Sequence, residues 1–287
     1  MSDGEEPNKD QPTDEGSEQA TPLEFDPSVP DPLHETYQQL LASVERLPEL
    51  PMQAAVVRRV LESLDKAETV WVLDQLLRGA LWGKSGAAQT AMAAVWWLIE
   101  IRRDDEYQTI KELFETAHHS RRAAVLDLFR EVPPHRALAA TQQLPEVRLP
   151  TERDVTLGER RTMASGPKRR LLERLLMDPD PLVIRKLLSN PHIRLADVKI
   201  IASRRPATPE LLQEIVYHPR WFRSNGARDA VVRNPYTDTG LALKLLPTLG
   251  IKILRRLVYS GDLHPLIQES AKRLVKLREE RTAPWRV

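Results

Sequence analysis

The 287-residue chain has no cysteine, which excludes disulfides, thiolate nucleophiles, zinc knuckles and cysteine-ligated iron–sulfur centres; packing alone must hold the fold together. Aromatic residues are 5% of the sequence, and no strict apolar alternation or Asn-Gly turn between β-branched runs occurs, so strands have little support and an all-α protein is expected. Long hydrophobic runs are missing too. The longest uncharged stretch, residues 85 to 99, falls short of the roughly 20 apolar residues that cross a bilayer, and it is expected to be a buried helix. Met1-Ser2-Asp3-Gly4-Glu5-Glu6 has neither the basic nor the apolar segment of a leader peptide, so a cytoplasmic location is expected.

Chemistry-bearing patterns are equally sparse. Gly79-Ala80-Leu81-Trp82-Gly83-Lys84-Ser85 ends like a phosphate-binding loop, but three residues separate its glycines where that loop needs four, and the segment before it has helical periodicity. It reads as a turn between helices. The seven histidines show no ligand spacing, and His118-His119, being adjacent, point to different faces of a helix. Asp104-Asp105-Glu106 reads as a helix N-terminus with anions set against the dipole. No catalytic residue, metal or cofactor is expected.

What is present is apolar periodicity of 3.6, punctuated by proline. Leu33, Tyr37, Leu40, Leu41, Val44 and Leu47 form one stripe, stopped by Pro48 and Pro51. Further helices are predicted through Val56 to Leu64, Val70 to Leu81, Ala88 to Ile101, Tyr107 to Ala117 and Val125 to Phe129, with a short one from Ala137 to Leu144 after Pro133-Pro134. In the fourth, Ala91, Ala93 and Ala94 permit close helix approach, while Trp96 and Trp97 point about 100° apart, so at least one of them meets an inter-helix seam.

Charge divides the chain. Residues 1 to 30 carry a net charge of −8, residues 31 to 150 carry −3, and residues 151 to 287 carry +12. The first segment has only Leu23, Phe25 and Val29 as large apolar groups and is expected to be a disordered acidic tail. Residues 31 to 150 form an N-terminal helical domain, and the polar stretch from Pro145 to Arg153 marks the boundary with a basic domain at 151 to 287. The asymmetry fits a basic surface for an acidic partner or a tail that folds back to screen that surface.

Within the basic part the sequence repeats. Leu187-Leu188-Ser189-Asn190-Pro191 returns forty-four positions later as Val231-Val232-Arg233-Asn234-Pro235, each followed by two apolar helices. The second helix after Asn190 is announced by Thr208-Pro209-Glu210, an N-cap, a proline at the first helical position and an acid in the first turn. Asp178-Pro179-Asp180-Pro181-Leu182-Val183-Ile184-Arg185, running on to Asn190-Pro191, resembles the repeats of HEAT-like and leucine-rich-repeat-variant bacterial α-solenoids, with their Asp-Pro turn and Asn-Pro helix end. The Leu157-Gly158-Glu159-Arg160-Arg161 opening is similar to that of a bacterial family of this kind, and the resemblance covers about residues 155 to 277. It implies an α-solenoid of stacked helical units. The second copy departs from it with His218-Pro219-Arg220-Trp221 in place of the Asp-Pro turn and Asp229 in place of the arginine that starts the helix in such repeats, here Arg185 of Val183-Ile184-Arg185, and the third, around Leu263-His264-Pro265-Leu266, lacks the Asn-Pro end.

Solenoids serve binding more than chemistry, so the expected function is a non-enzymatic protein–protein interaction scaffold holding an acidic protein or peptide segment. Its candidate contacts are Arg185, Arg204, Arg205, Arg220, Trp221, Arg223, Arg228, Arg233 and Arg256, supported by Lys168-Arg169-Arg170 and Arg174; Arg185, Arg228 or Arg233, and Arg256 would align as one basic stripe. Basic residues interleaved with aromatics also hold phosphates and stack bases, so the alternative is a nucleic-acid binder, in its sharpest form a HEAT-like DNA glycosylase using Asp229, Trp221 and Arg228. Arginine that merely covers apolar neighbours is the competing structural explanation, as is a core role for Trp221 and Phe222.

Overall fold

The computed structural model describes residues 32–100, 107–137, 144, 149 and 153–280. The acidic tail, Asp104-Asp105-Glu106 and nearly all of the helix expected from Ala137 to Leu144 lie outside them. Among the described residues the fold is all-helical, with no strand. The N-terminal helices are α1 (Pro32–Glu45), α2 (Leu50–Ser63), α3 (Lys66–Leu81), α4 (Ala87–Glu100), α5 (Tyr107–His119) and α6 (Ala123–Leu126), the last followed by a 3₁₀ turn at Asp127–Phe129. The basic segment holds α7 (Leu157–Ala164), α8 (Arg169–Leu175), α9 (Pro181–Leu188), α10 (Leu195–Ser203), α11 (Pro209–Tyr217), α12 (Pro219–Phe222), α13 (Asn225–Val232), α14 (Thr239–Leu245), α15 (Ile251–Val258) and α16 (Pro265–Glu280), with a second 3₁₀ turn at Leu246–Thr248.

Side chains at the ends explain where these helices start. Asp65 opens α3 and Thr156 opens α7 through reciprocal capping boxes with Glu68 and Glu159. Asp180, Thr208 and Asp238 accept from backbone N–H groups of α9, α11 and α14, and proline occupies the first turn of α9 and α11, where its missing N–H costs nothing.

Helix α4 is apolar on every side, and it is buried between α2 and α3 of its own half and α11 and α14 of the other. Its small residues permit that crowding, and both Trp96 and Trp97 are buried. The phosphate-loop look-alike is the α3–α4 corner. Gly83 and Gly86 adopt positive φ of 69° and 71°, and a Cβ on Gly79 would stand 2.8 Å from the Ala87 Cβ, so these glycines permit a tight turn and a close helix contact.

The two Asn-Pro segments make the same bonds. Asn190 Nδ2 donates to the carbonyls of Ala164 (2.8 Å) and Gly166 (2.9 Å) at the end of α7, while its Oδ1 accepts from the His192 N–H. Asn234 Nδ2 donates to the carbonyls of Ala202 and Arg204 at the end of α10, both at 2.8 Å, while its Oδ1 accepts from the Tyr236 N–H. Each asparagine therefore satisfies carbonyls that a helix C-terminus leaves without an intrahelical partner. It also ties the end of α9 back to α7, and the end of α13 back to α10.

Packing continues across the expected 150/151 boundary, and both segments contribute to one hydrophobic core. The Trp82 indole donates to the Leu277 carbonyl of α16 at 3.0 Å, and Arg223 donates to the Pro48 carbonyl at 2.7 Å. Buried Asp127, in the 3₁₀ turn, accepts from Ser270 and Arg273 of α16, each at 2.6 Å. The Gly240 N–H donates to the Val132 carbonyl at 3.0 Å, and a Cβ at Gly240 would meet the Arg130 carbonyl oxygen at 2.5 Å.

Candidate interaction surface

The nine candidate contacts fall into three physical groups. Arg204, Trp221 and Arg228 are buried. Trp221 donates its indole N–H to the Leu188 carbonyl at 2.8 Å, bridging α12 to the end of α9. Arg204 donates to the carbonyl of Asp178 at 2.7 Å, and burial holds its pKa below the ordinary arginine value. Arg228, only 4% exposed, donates to the carbonyls of Phe222 and Thr248, lies against Met92 of α4, and has no carboxylate partner among the described residues; burial pushes its pKa down to about 10.

A second group is spent on internal pairs. Arg185 of α9 forks onto Glu214 of α11 at 2.8 and 2.6 Å. Forty-four positions on, Asp229 of α13 accepts from Arg256 of α15 at 3.3 Å and also pairs with Arg233 at 3.1 Å. The same strut between successive units thus occurs with its charges exchanged, which gives a physical role to the departure at Asp229. Arg205 is shared between Asp262 and the Arg233 carbonyl. Arg185, Arg233 and Arg256 are therefore neutralised locally rather than aligned as three free cations, and Asp229, Trp221 and Arg228 do not converge on an open surface.

The third group stays in solvent. Arg220 lies 4.3 Å above the Trp221 ring and reaches the Ile193 carbonyl, while Arg223 reaches the α1–α2 turn at Pro48. Exposed basic side chains also stand at the starts of α8 and α10. Lys168 and Arg170 flank Arg169, whose guanidinium forks onto buried Asp197 at 2.8 and 2.6 Å. The same carboxylate accepts from the Arg194 N–H at 2.8 Å, so the start of α8 and the start of α10 are clamped together. That pairing holds the Asp197 pKa below the usual carboxylate range, with burial opposing. The side chains of Lys168 and Arg170 make no ion pair among the described residues, and they are exposed, as are Arg194 at the start of α10, Arg220 in α12 and Arg223 at its end. Arg194 escaped sequence reasoning because it belongs to no run of basic residues; only its place beside Asp197 and Ile193 joins it to the others.

Burial also marks the residues that open the turns of the first and second copies. Asp178 is fully buried against Arg160 at 2.9 Å; desolvation raises its pKa, with the Asp180 N–H and Arg160 acting the other way. Half-buried His218 is held below the ordinary histidine value by desolvation and then by Arg220. Among the described residues no group of three or more His, Cys, Asp or Glu side chains has the geometry to hold a metal ion, and no helix is long and apolar enough to cross a membrane. No family model matches the chain, and neither the curated proteins nor the solved structures compared with it give a match.

Proposed function

We propose that the protein is a non-enzymatic interaction scaffold, an α-solenoid of HEAT-like units whose exposed basic side chains hold an acidic protein segment. The observation that supports this reading is the sorting of the arginines: most are consumed in the framework, yet Lys168, Arg170, Arg194, Arg220 and Arg223 remain exposed, with Arg220 held on Trp221 and the Ile193 carbonyl and Arg194 opening the helix that Arg169 clamps. Preorganised cations of one sign steer and orient an acidic ligand. The equivalent clamps of Asn190 and Asn234, and the struts Arg185–Glu214 and Asp229–Arg256, support reading the basic segment as copies of one unit stacked in series.

The peptide reading is favoured over nucleic acid because the aromatics interleaved with these arginines, Trp221 and Phe222, are buried and offer no platform on which bases stack. Fluorescence anisotropy with a labelled glutamate-rich peptide and with single-stranded DNA of equal charge separates the two. The proposal expects saturable peptide binding that the Arg194→Glu/Arg220→Glu variant loses while its circular dichroism is unchanged. Tighter binding of DNA, with the affinity falling steeply as salt rises, would replace it with the nucleic-acid reading.

A further inference from the structure

Exposed cations of the basic segment gather where two helix starts and a turn meet. The fork of Arg169 onto Asp197, with the Arg194 N–H on the same carboxylate, holds the start of α8 against the start of α10. Arg220 of α12 reaches the Ile193 carbonyl, one residue before Arg194, at 3.4 Å. Further along α10, the Lys199 Cε lies 3.0 Å from where a Cβ on Gly226 would stand, close to the α12–α13 turn that carries Arg223. Lys168, Arg170, Arg194, Lys199, Arg220 and Arg223 are exposed, and none makes an ion pair among the described residues. The carboxylates on these helix starts, Glu173 and Asp197, are both taken by Arg169. At the α1–α2 turn, where Arg223 meets the Pro48 carbonyl, Glu45 and Glu49 are set against Arg46, so the surplus stays positive.

The same chain supplies the opposite sign. Residues 1 to 30 carry a net charge of −8 and lead into the fold at Pro32, the first residue of α1. The far end of α1 runs into the turn that Arg223 touches, so the root of the tail is about one helix length, roughly 21 Å, from these cations. A thirty-residue chain spans up to about 100 Å, several times that gap. We propose that the acidic segment at residues 1 to 30 folds back onto these cations and competes there with the partner's acidic segment. The competition rests on the scaffold reading above, because it acts on the same side chains. A short tether gives a local concentration of about 1 mM; a contact with an intrinsic dissociation constant of about 0.1 mM then leaves the surface free about a tenth of the time, and an outside ligand binds about tenfold more weakly.

Because the chain has no cysteine, Ser17→Cys places a single nitroxide on the full chain, among Glu15 and Glu18. The amide signals of Arg170, Arg194, Lys199 and Arg220 should lose intensity and regain it in 1 M salt, where the screening length is about 3 Å. A mixture of spin-labelled chain with separately isotope-labelled chain should show no loss. In a second measurement, the full chain carrying Asp10→Asn, Asp14→Asn, Glu15→Gln, Glu18→Gln, Glu24→Gln and Asp26→Asn should bind the labelled glutamate-rich peptide about tenfold more tightly than the unaltered chain. Signal loss that is missing, or confined to other helices, overturns the proposal. Loss in the mixture overturns it as well, by assigning the contact to a second copy. Peptide affinity that does not change when the tail is neutralised overturns the competition. A neutralised chain that binds no peptide while the signal loss persists upholds the tail contact and overturns the scaffold reading instead.

Discussion

Asn190 and Asn234 show how much one side chain decides in this fold. Each is buried, and each uses both amide hydrogens and its oxygen to join the loop after one helix to the end of another. Alanine at 234 leaves the Ala202 and Arg204 carbonyls without that donor, so Asn234→Ala should lose about 2 to 3 kcal/mol of stability in urea unfolding. A loss under half a kcal/mol would mean the loop is held by something else. His218 carries a pH dependence whose sign is fixed. Its folded pKa is depressed, so between that value and the unfolded value of about 6.5 the unfolded chain binds a proton that the folded chain does not. Stability should therefore fall as pH drops from 7 through that window, and His218→Gln should flatten the slope of melting temperature against pH. The asparagines were visible in the sequence as helix ends. Their clamping role was not, because the carbonyls they satisfy lie 24 to 32 residues away.

Among the elements, the struts between units test whether position or charge sign matters. Arg185 is 60% exposed in its side chain while Glu214 is 8% exposed, so the pair gives less than a buried one and more than two solvated ions. Arg185→Glu places a second carboxylate against Glu214 and should cost about 1 to 2 kcal/mol. Because Asp229 and Arg256 use the opposite polarity at the matching positions, the double variant Arg185→Glu/Glu214→Arg should recover most of that loss, read as a coupling energy in a double-mutant cycle. No recovery would show that the two positions do not play the same part. The helices themselves were largely legible, since a 3.6-residue apolar period and local caps act over a few residues. The sixth was not: only Ala123–Leu126 is α-helical, and the 3₁₀ turn that follows carries Asp127 toward α16. A charge turned inward in that way answers to a partner 146 residues away, beyond the reach of any local pattern.

For the whole molecule, the junction between the N-terminal and basic segments is the feature most exposed to single substitutions. Asp127 is nearly buried and meets Ser270, Arg273 and Arg130, so Asp127→Asn should cost about 3 kcal/mol, measured as a shift of the urea midpoint. Gly240→Ala acts without charge. Its methyl group would press on a backbone oxygen, which cannot swing aside, so about 1 to 3 kcal/mol should be lost. In both cases tryptophan fluorescence and circular dichroism should shift together, because one core spans both segments. A change confined to one probe would show the segments unfolding separately.

By itself the sequence determined that this chain is helical, which apolar stripes face inward, and that the basic charge gathers after residue 150; these follow from local propensity, from periodicity and from counting. Only the tertiary structure decided which of those charges remain free. Arg185 and Arg256 looked like Arg220 and Arg223 in the sequence, and Arg194 looked like nothing in particular, because whether a guanidinium is neutralised depends on a carboxylate that folding brings to it from another helix. Ionic pairing is a short-range interaction between groups distant in the chain, and packing sets that distance.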